Sequence, residues 1–137
     1  MTLVQKTVSA LSILALVACA TMAGKTVNVT LSGAEEVPPV STAARGSGSF
    51  TIGDDGAVSG SVTTSGVAGT MAHIHMAAKG ANGPVIVPLT KESDTYRAPA
   101  GAKLNEAQMA AFKAGNLYVN VHSAANKGGE VRGQLNP

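Results

Sequence analysis

All three histidines of the chain lie in two short β-like segments, residues 71–76 and 118–122, which makes them the first candidates for chemistry. Side chains in a strand alternate between two faces, so His73 and His75 project from the same face. Neutral imidazole is a common ligand for copper and zinc, and an i, i+2 pair on a strand can share one ion. With His122 as the third ligand, the sequence predicts a metal site of three histidines.

Two methionines flank the histidine pair. Met71 shares the histidine face by strand parity, whereas Met76 falls on the opposite face. Thioether sulfur is a soft ligand that suits Cu(I), although methionine more often fills gaps in a core. Met71 is therefore an additional candidate ligand. Copper is favoured over zinc because no thiolate and no clear carboxylate lies near the histidines in the sequence. The alternative is that each imidazole hydrogen-bonds a neighbouring strand or loop and binds no metal.

Other polar residues are given structural interpretations. Asn120 shares the face of the last histidine and is a candidate to fix an imidazole tautomer. Glu130 and Arg132 alternate near the C-terminus, which indicates an ion pair or protection of a sheet edge, with a role near the metal as the alternative. Glu35 and Glu36 precede two prolines and are interpreted as solvated loop charges, with a position capping a metal site as the alternative for either.

The composition bounds the class of protein. A chain of 137 residues is long enough for one domain with a core and too short for two. Lysine and arginine number 10 against 8 acidic residues, the charges are scattered, and aromatic residues make up 3%. Nucleic acid is therefore excluded as a partner, since phosphate binding needs clustered basic residues. No serine elbow of a hydrolase and no phosphate-binding loop appears.

The N-terminus has the pattern of a secretory signal. Lys6 precedes an apolar run, residues 8–18, that is too short to span a bilayer, so residues 1–18 are predicted to be a signal peptide. The segment before Cys19 is typical of a bacterial lipoprotein signal, which predicts lipidation of Cys19, and ordinary cleavage after nearby small residues is the alternative. We expect export to the periplasm or outer membrane, or secretion without lipidation. Membrane contact is then expected only through a lipid anchor at Cys19.

The remainder, residues 24–137, is predicted to be one domain of seven to nine short strands. Cys19 is the only cysteine, so the domain has no internal disulfide. One helix is predicted from Glu106 to Ala114, because Asn105 is a good N-cap, Gln108 completes a capping box and Gly115 ends the pattern. The strands are predicted from apolar alternation and turn residues, at 26–31, 48–52, 57–62, 71–76, 85–89, 95–98, 117–122 and 130–135. This pattern favours an all-β, antiparallel β-sandwich with one short connecting helix at about 105–115.

Four segments together resemble the CHRD domain, a module of chordin and of many bacterial exported proteins. They are residues 31–40, the histidine pair with 83–87, the helix ending at Gly115, and 117–123 with 128–135. The resemblance implies an immunoglobulin-like sandwich. It says less about function, because a fold does not fix an activity.

The histidines are also distantly similar to the copper site of copper/zinc superoxide dismutase. His73, His75 and His122 look like its three copper ligands, which implies a superoxide-dismutase-like sandwich and a copper ion. The chain has no further histidine, no zinc-binding loop and no disulfide, so a zinc-bridged dismutase is not expected.

Three hypotheses follow from the sequence. The first is an exported protein that binds copper through the three histidines in copper sequestration or tolerance, with zinc less favoured and no catalysis. The second is a cell-envelope module that binds a protein partner and uses its histidines structurally. The third is a copper-only redox enzyme, which would need an open coordination position.

Overall fold

The computed structural model describes residues 23–137, which form one antiparallel sheet of nine strands and one α-helix. The predicted signal peptide and Cys19 lie outside the described residues. Helix α1 runs over Glu106–Lys113, and a single 3-10 turn covers Gly33–Glu35. The strands are β1 Gly24–Ser32, β2 Arg45–Gly53, β3 Val58–Ser65, β4 Gly69–Met76, β5 Val85–Pro88, β6 Thr90–Glu92, β7 Thr95–Arg97, β8 Leu117–Ser123 and β9 Val131–Leu135.

The sheet curls until its two edges approach each other, so the all-β fold lies between a sandwich and a barrel. The strand order is β5-β4-β8-β9-β1-β2-β3-β7-β6. Only Leu89 separates β5 at one edge from β6 at the other, and its N–H donates to the carbonyl of Ala72 on β4. A flat sheet could not place two edges one residue apart. The curl encloses the core and leaves little open edge.

The inner face of the sheet forms one hydrophobic core. Alternate residues of each strand point inward, as the period of two requires. Ile74 on β4 and Val119 on β8 are paired across the two strands and are both fully buried. Phe50 and Val62 bring the β2–β3 hairpin into the same core. The histidines of β4 therefore lie on the outer face of the curled sheet.

Several predicted elements are confirmed. Strands β2 and β3 pair as an antiparallel hairpin, β8 and β9 pair as another, and α1 has the full capping box of Asn105 and Gln108. The predicted strand 85–89 forms, but it ends one residue earlier, at Pro88. It lies at the edge of the sheet, with Val85 46% exposed. Proline cannot donate to a ladder, so it is tolerated at such an edge. Within residues 23–137, no helix is both long and apolar enough to cross a membrane.

Strand β8 differs from the others because both of its faces are buried. All seven residues of Leu117–Ser123 are buried, including the outward side chains Tyr118, Asn120 and His122. Loops lie over the outer face of β8 and remove these side chains from water. The loop after β4 and the loop between β8 and β9 both hydrogen-bond to side chains on this face. They create a covered polar layer outside the core.

Candidate metal centre

The pairing of β4 with β8 brings the three histidines together. His73 lies opposite Asn120 and Met71 lies opposite His122, so His73 and His122 are diagonal neighbours on the outer face. His75, two residues further along β4, lies opposite Tyr118. Each histidine offers one ring nitrogen to a group whose atoms all lie within 4.8 Å of one another. His75 and His122 are each 8% exposed, and His73 is half-buried.

The tautomer of His75 is set by a main-chain carbonyl. Its Nδ1 lies 2.9 Å from the carbonyl oxygen of Gly83, which can only accept, so Nδ1 carries the proton. Nε2 therefore holds the lone pair. This atom is buried and has no hydrogen-bond partner within residues 23–137. A buried acceptor without a partner is costly, and such atoms are rare in folded proteins.

His122 is held in the same way. Its Nδ1 donates to the carbonyl oxygen of Lys127 at 2.8 Å, which leaves the lone pair on Nε2. The Nδ1 atom of His73 lies 3.0 Å from that Nε2 and must donate the proton between them. For a metal to bind, His73 would move its proton from Nδ1 to Nε2 and stay neutral. Only one of the three rings must change its tautomer.

The surroundings keep the β4 imidazoles neutral, as metal ligation requires. Burial lowers the pKa of His73, and the neighbouring rings of His122 and His75 lower it further. Burial also lowers the pKa of His75, and the hydrogen bond to Gly83 partly offsets this. His122 lowers the pKa of His75 further, the side chain of Asn120 raises it, and Arg132 lowers it least. Protons therefore compete weakly with a metal ion for these two rings.

The spacing fits one ion after a small contraction. Two nitrogens bound to copper or zinc at about 2.0–2.1 Å are about 3.3–3.6 Å apart in tetrahedral or trigonal geometry. The widest separation in the group is 4.8 Å. The facing ring nitrogens of His73 and His122 are already 3.0 Å apart, so the widest pair in the group would have to close by roughly 1 Å. No carboxylate or thiolate of residues 23–137 belongs to this group, so the donor set is nitrogen alone.

A stack of three planar groups supports His75. The ring of Tyr118 lies parallel to the ring of His75, with 4.8 Å between centroids and 4° between planes. On its other face, the guanidinium carbon of Arg132 lies 3.4 Å from the centroid of Tyr118. The N–H of Gly83 donates to the hydroxyl of Tyr118, and the carbonyl of Gly83 accepts from Nδ1 of His75. Gly83 thus fixes both rings of the stack.

Comparison with protein-family models identifies the domain. Residues 27–135 match the model of the CHRD domain, which covers most of the chain. The chain belongs to the CHRD family. No curated protein and no solved structure matches it. The CHRD resemblance expected from the sequence is therefore confirmed, whereas the resemblance to the copper site of superoxide dismutase stays a prediction.

Residues outside the histidines organise the site of this CHRD domain. Arg132 is 1% exposed and donates to Asn82 and to the carbonyl of Ala78, and Gln134 donates to the carbonyl of Ala77. These bonds tie the loop that carries Gly83 to β9. The structural ion pair expected for Glu130 or Arg132 is wrong, because neither residue belongs to an ion pair among residues 23–137 and Glu130 accepts from the hydroxyls of Thr42 and Ser123.

Glu36 is the second polar residue that the sequence misplaces. It is 4% exposed rather than solvated, and its Oε1 has no hydrogen-bond partner among residues 23–137. Burial raises its pKa from 4.5 to about 7, against the opposing effects of Arg132 and Asn120. A Cβ on Gly129 would lie 2.4 Å from this oxygen and 2.5 Å from Nδ2 of Asn120. Glycine at 129, with φ +129°, leaves the space that these two side chains fill.

Asn120 lies close enough to His75 to raise the pKa of that imidazole, but it holds neither Nδ1 proton of the two buried histidines. The Nδ1 protons of His75 and His122 are held by main-chain carbonyls, and Asn120 donates to the carbonyl of Gly128. Strand parity predicts the face that Asn120 shares with Tyr118 and His122. It cannot predict the carbonyls that accept the histidine protons, because the geometry of the loops places those carbonyls.

Met71 stands at the open side of the histidine group. Its side chain is 51% exposed, and it lines a shallow cavity of about 400 Å³ together with His122 and Lys127. Its strand position opposite His122 puts it on the ligand face, as parity predicted. Met76 packs against the hydrophobic core instead. The histidine group is therefore reached from solvent past a thioether.

The raised pKa of Glu36 makes stability depend on pH. Because the folded pKa of about 7 exceeds the unfolded value of 4.5, the unfolded chain ionises first, and stability falls as pH rises from about 4.5 to 7. We predict that Glu36→Gln removes this fall and stabilises the domain at pH 8 by up to about 3 kcal/mol. Urea unfolding at pH 4 and pH 8 measures the effect. The control is Glu35→Gln, at the more exposed neighbour that pairs with Lys79. A Glu36→Gln variant less stable than wild type at pH 8 would contradict the prediction.

Proposed function

We propose that this CHRD domain binds one copper ion through His73, His75 and His122 and serves copper sequestration or tolerance. The observation that carries the proposal is the buried, unpartnered Nε2 of His75, which points to a ligand that the apolar and hydrogen-bonded surroundings do not supply. His122 offers a second Nε2 whose tautomer is fixed from behind. A histidine whose other nitrogen is held by a carbonyl is arranged as metal-binding histidines are.

Copper is preferred to zinc in this proposal for a chemical reason. The group holds three imidazoles and no carboxylate or thiolate within residues 23–137. Copper binds nitrogen ligands more tightly than zinc does, and it accepts three ligands with a weaker fourth. The half-buried His73 and the exposed Met71 leave one open side, from which the ion enters.

Copper titration of the purified protein tests the function. We predict one tight site in the wild type, and a free energy of unfolding that rises by about 2.7 kcal/mol at a free copper concentration of 100 times Kd, which is seen as a higher melting temperature. His73→Ala, His75→Ala and His122→Ala each lower the affinity by more than the roughly 10–100-fold that loss of an outer-shell partner causes. Lys25→Ala is the control, because Lys25 is exposed on β1, which β9 and β8 separate from the histidines of β4. Binding that survives replacement of both His73 and His75 would refute the site.

Met71 is proposed as the fourth, weaker ligand. Its thioether on the ligand face favours Cu(I), which is a soft ion. We predict that Met71→Leu lowers the Cu(I) affinity about tenfold and leaves the Zn(II) affinity unchanged, since zinc gains little from a thioether. Met76→Leu is the control, because Met76 packs against the core. Equal loss of Cu(I) and Zn(II) affinity would show that Met71 acts through packing.

Export and anchoring belong to the same proposal. We propose that residues 1–18 direct export and that Cys19 carries the lipid, which would hold the copper site at the cell envelope. A single acyl chain binds membranes only weakly, whereas lipoprotein modification supplies several. We predict that Cys19→Ser moves the protein from the membrane fraction to the soluble exported fraction, as measured by fractionation. An unchanged distribution would refute anchoring through Cys19 and leave the copper proposal standing.

The alternative function is a protein-interaction module of the cell envelope. It would follow if the wild-type protein bound no copper, since the histidines would then serve only as hydrogen-bonded structure. The 3.0 Å contact of His73 with His122 is the observation that favours this role. It leaves Nε2 of His75 unexplained.

A further inference from the structure

We propose that Arg132 makes the three-histidine site select a monovalent ion, Cu(I), over the divalent ions Zn(II) and Cu(II). This inference rests on the proposed function, because it requires an ion between the histidines. Arg132 does not touch that ion. It is a specificity-determining residue that acts through its charge, across the ring of Tyr118.

The charge of Arg132 is buried without a partner of opposite sign. The side chain is 1% exposed, and its hydrogen bonds go to neutral oxygens of Asn82, Ala78 and Gln134. Neither of the two ion pairs found among residues 23–137 includes it. A buried guanidinium normally pairs with a carboxylate. Here the guanidinium lies against the face of Tyr118, which attracts a cation more weakly than a carboxylate does.

Glu36 is a buried carboxyl that interacts electrostatically with Arg132, and it offsets the charge of Arg132 only in part. Its pKa of about 7 leaves it roughly half protonated at neutral pH. It makes no ion pair with Arg132 within the 4.0 Å that defines one. The positive charge of Arg132 at the outer face of β8 is therefore only partly offset by Glu36.

The field of that charge reaches the histidines through packed rings and not through water. The guanidinium carbon is 3.4 Å from the centroid of Tyr118, and the centroid of His75 is 4.8 Å beyond on the parallel ring. An ion at the histidines would lie about 10 Å from the guanidinium. At an effective dielectric constant of about 20, each unit of positive charge on the ion then lowers its affinity roughly tenfold. The three neutral nitrogen ligands offset none of this cost. A divalent ion bears the cost twice, so the monovalent ion gains about tenfold in preference.

Affinities for Cu(I) and Zn(II), measured on the purified protein by competition with chromophoric chelators, test the inference. We predict that Arg132→Met raises the Zn(II) affinity relative to the Cu(I) affinity about tenfold. The Cu(II)/Cu(I) potential should fall by about 59 mV, which is the same factor for a one-electron couple. Arg97→Met, which removes an exposed arginine on β7, should change neither quantity.

A second variant keeps the test independent of the packing of Arg132. Asn82→Asp places a carboxylate where the amide oxygen now accepts from Arg132, at 3.3 Å and at an exposed position. It keeps the arginine and the ring stack, and we predict a shift in the same direction of about threefold. If Arg132 only holds the loop, Arg132→Met lowers both affinities together, Asn82→Asp leaves their ratio unchanged, and the inference is overturned.

The two proposals fail in different ways. A wild-type protein that binds neither ion refutes the copper function and this inference with it. A wild-type protein that binds copper at the histidines, with a ratio that neither variant changes, refutes the selectivity alone. If Arg132→Met does not fold, the ratio in Asn82→Asp decides.

Discussion

The register between β4 and β8 is the constraint on which the rest of the site depends. In this register Ile74 pairs with Val119 in the core, and His73 and Asn120 pair on the outer face. A slip of one residue would bury the histidines of β4 and expose Ile74. Burial of aliphatic side chains stabilises the protein by about 1.5–3 kcal/mol each, so the core fixes the register and the register fixes the imidazoles. The site therefore needs no stabilising contribution of its own to hold its geometry.

Loops supply what the strands cannot. Strands alone would leave the outer face of β8 in water, where imidazoles exchange partners with solvent. The loop that carries Gly83 is tied to β9 by Arg132 and Gln134, and it covers Tyr118 and His75. The loop that carries Lys127 does the same for His122. Main-chain carbonyls from both loops accept the Nδ1 protons of His75 and His122 and so fix the tautomers of both rings. Strand side chains are not placed to accept these protons.

Sequence patterns predict those parts of the molecule that depend on local periodicity. Alternation in β4 and β8 placed the three histidines on one face. The cap at Asn105 located the start of α1, and Gly115 located its end to within one residue. Glu36 and Arg132 were misjudged for a shared reason. Each looks like a surface charge from its neighbours in the sequence, and each is buried by a loop that is distant along the chain. Periodicity carries no information about such coverage, so the second layer of the site emerged only from the fold.

Unpartnered buried atoms are concentrated where the site is. Of the four such side-chain atoms within residues 23–137, three belong to His75, Asn120 and Glu36, around the outer face of β8. The fourth, the hydroxyl of Tyr96, lies on the other side of the sheet, in the core. Folding selects against such atoms, since each costs about 1–3 kcal/mol. Chance would scatter them over the chain. Their clustering beside three convergent imidazoles supports the proposal of a ligand there, because a cost to stability at one place persists when function requires it.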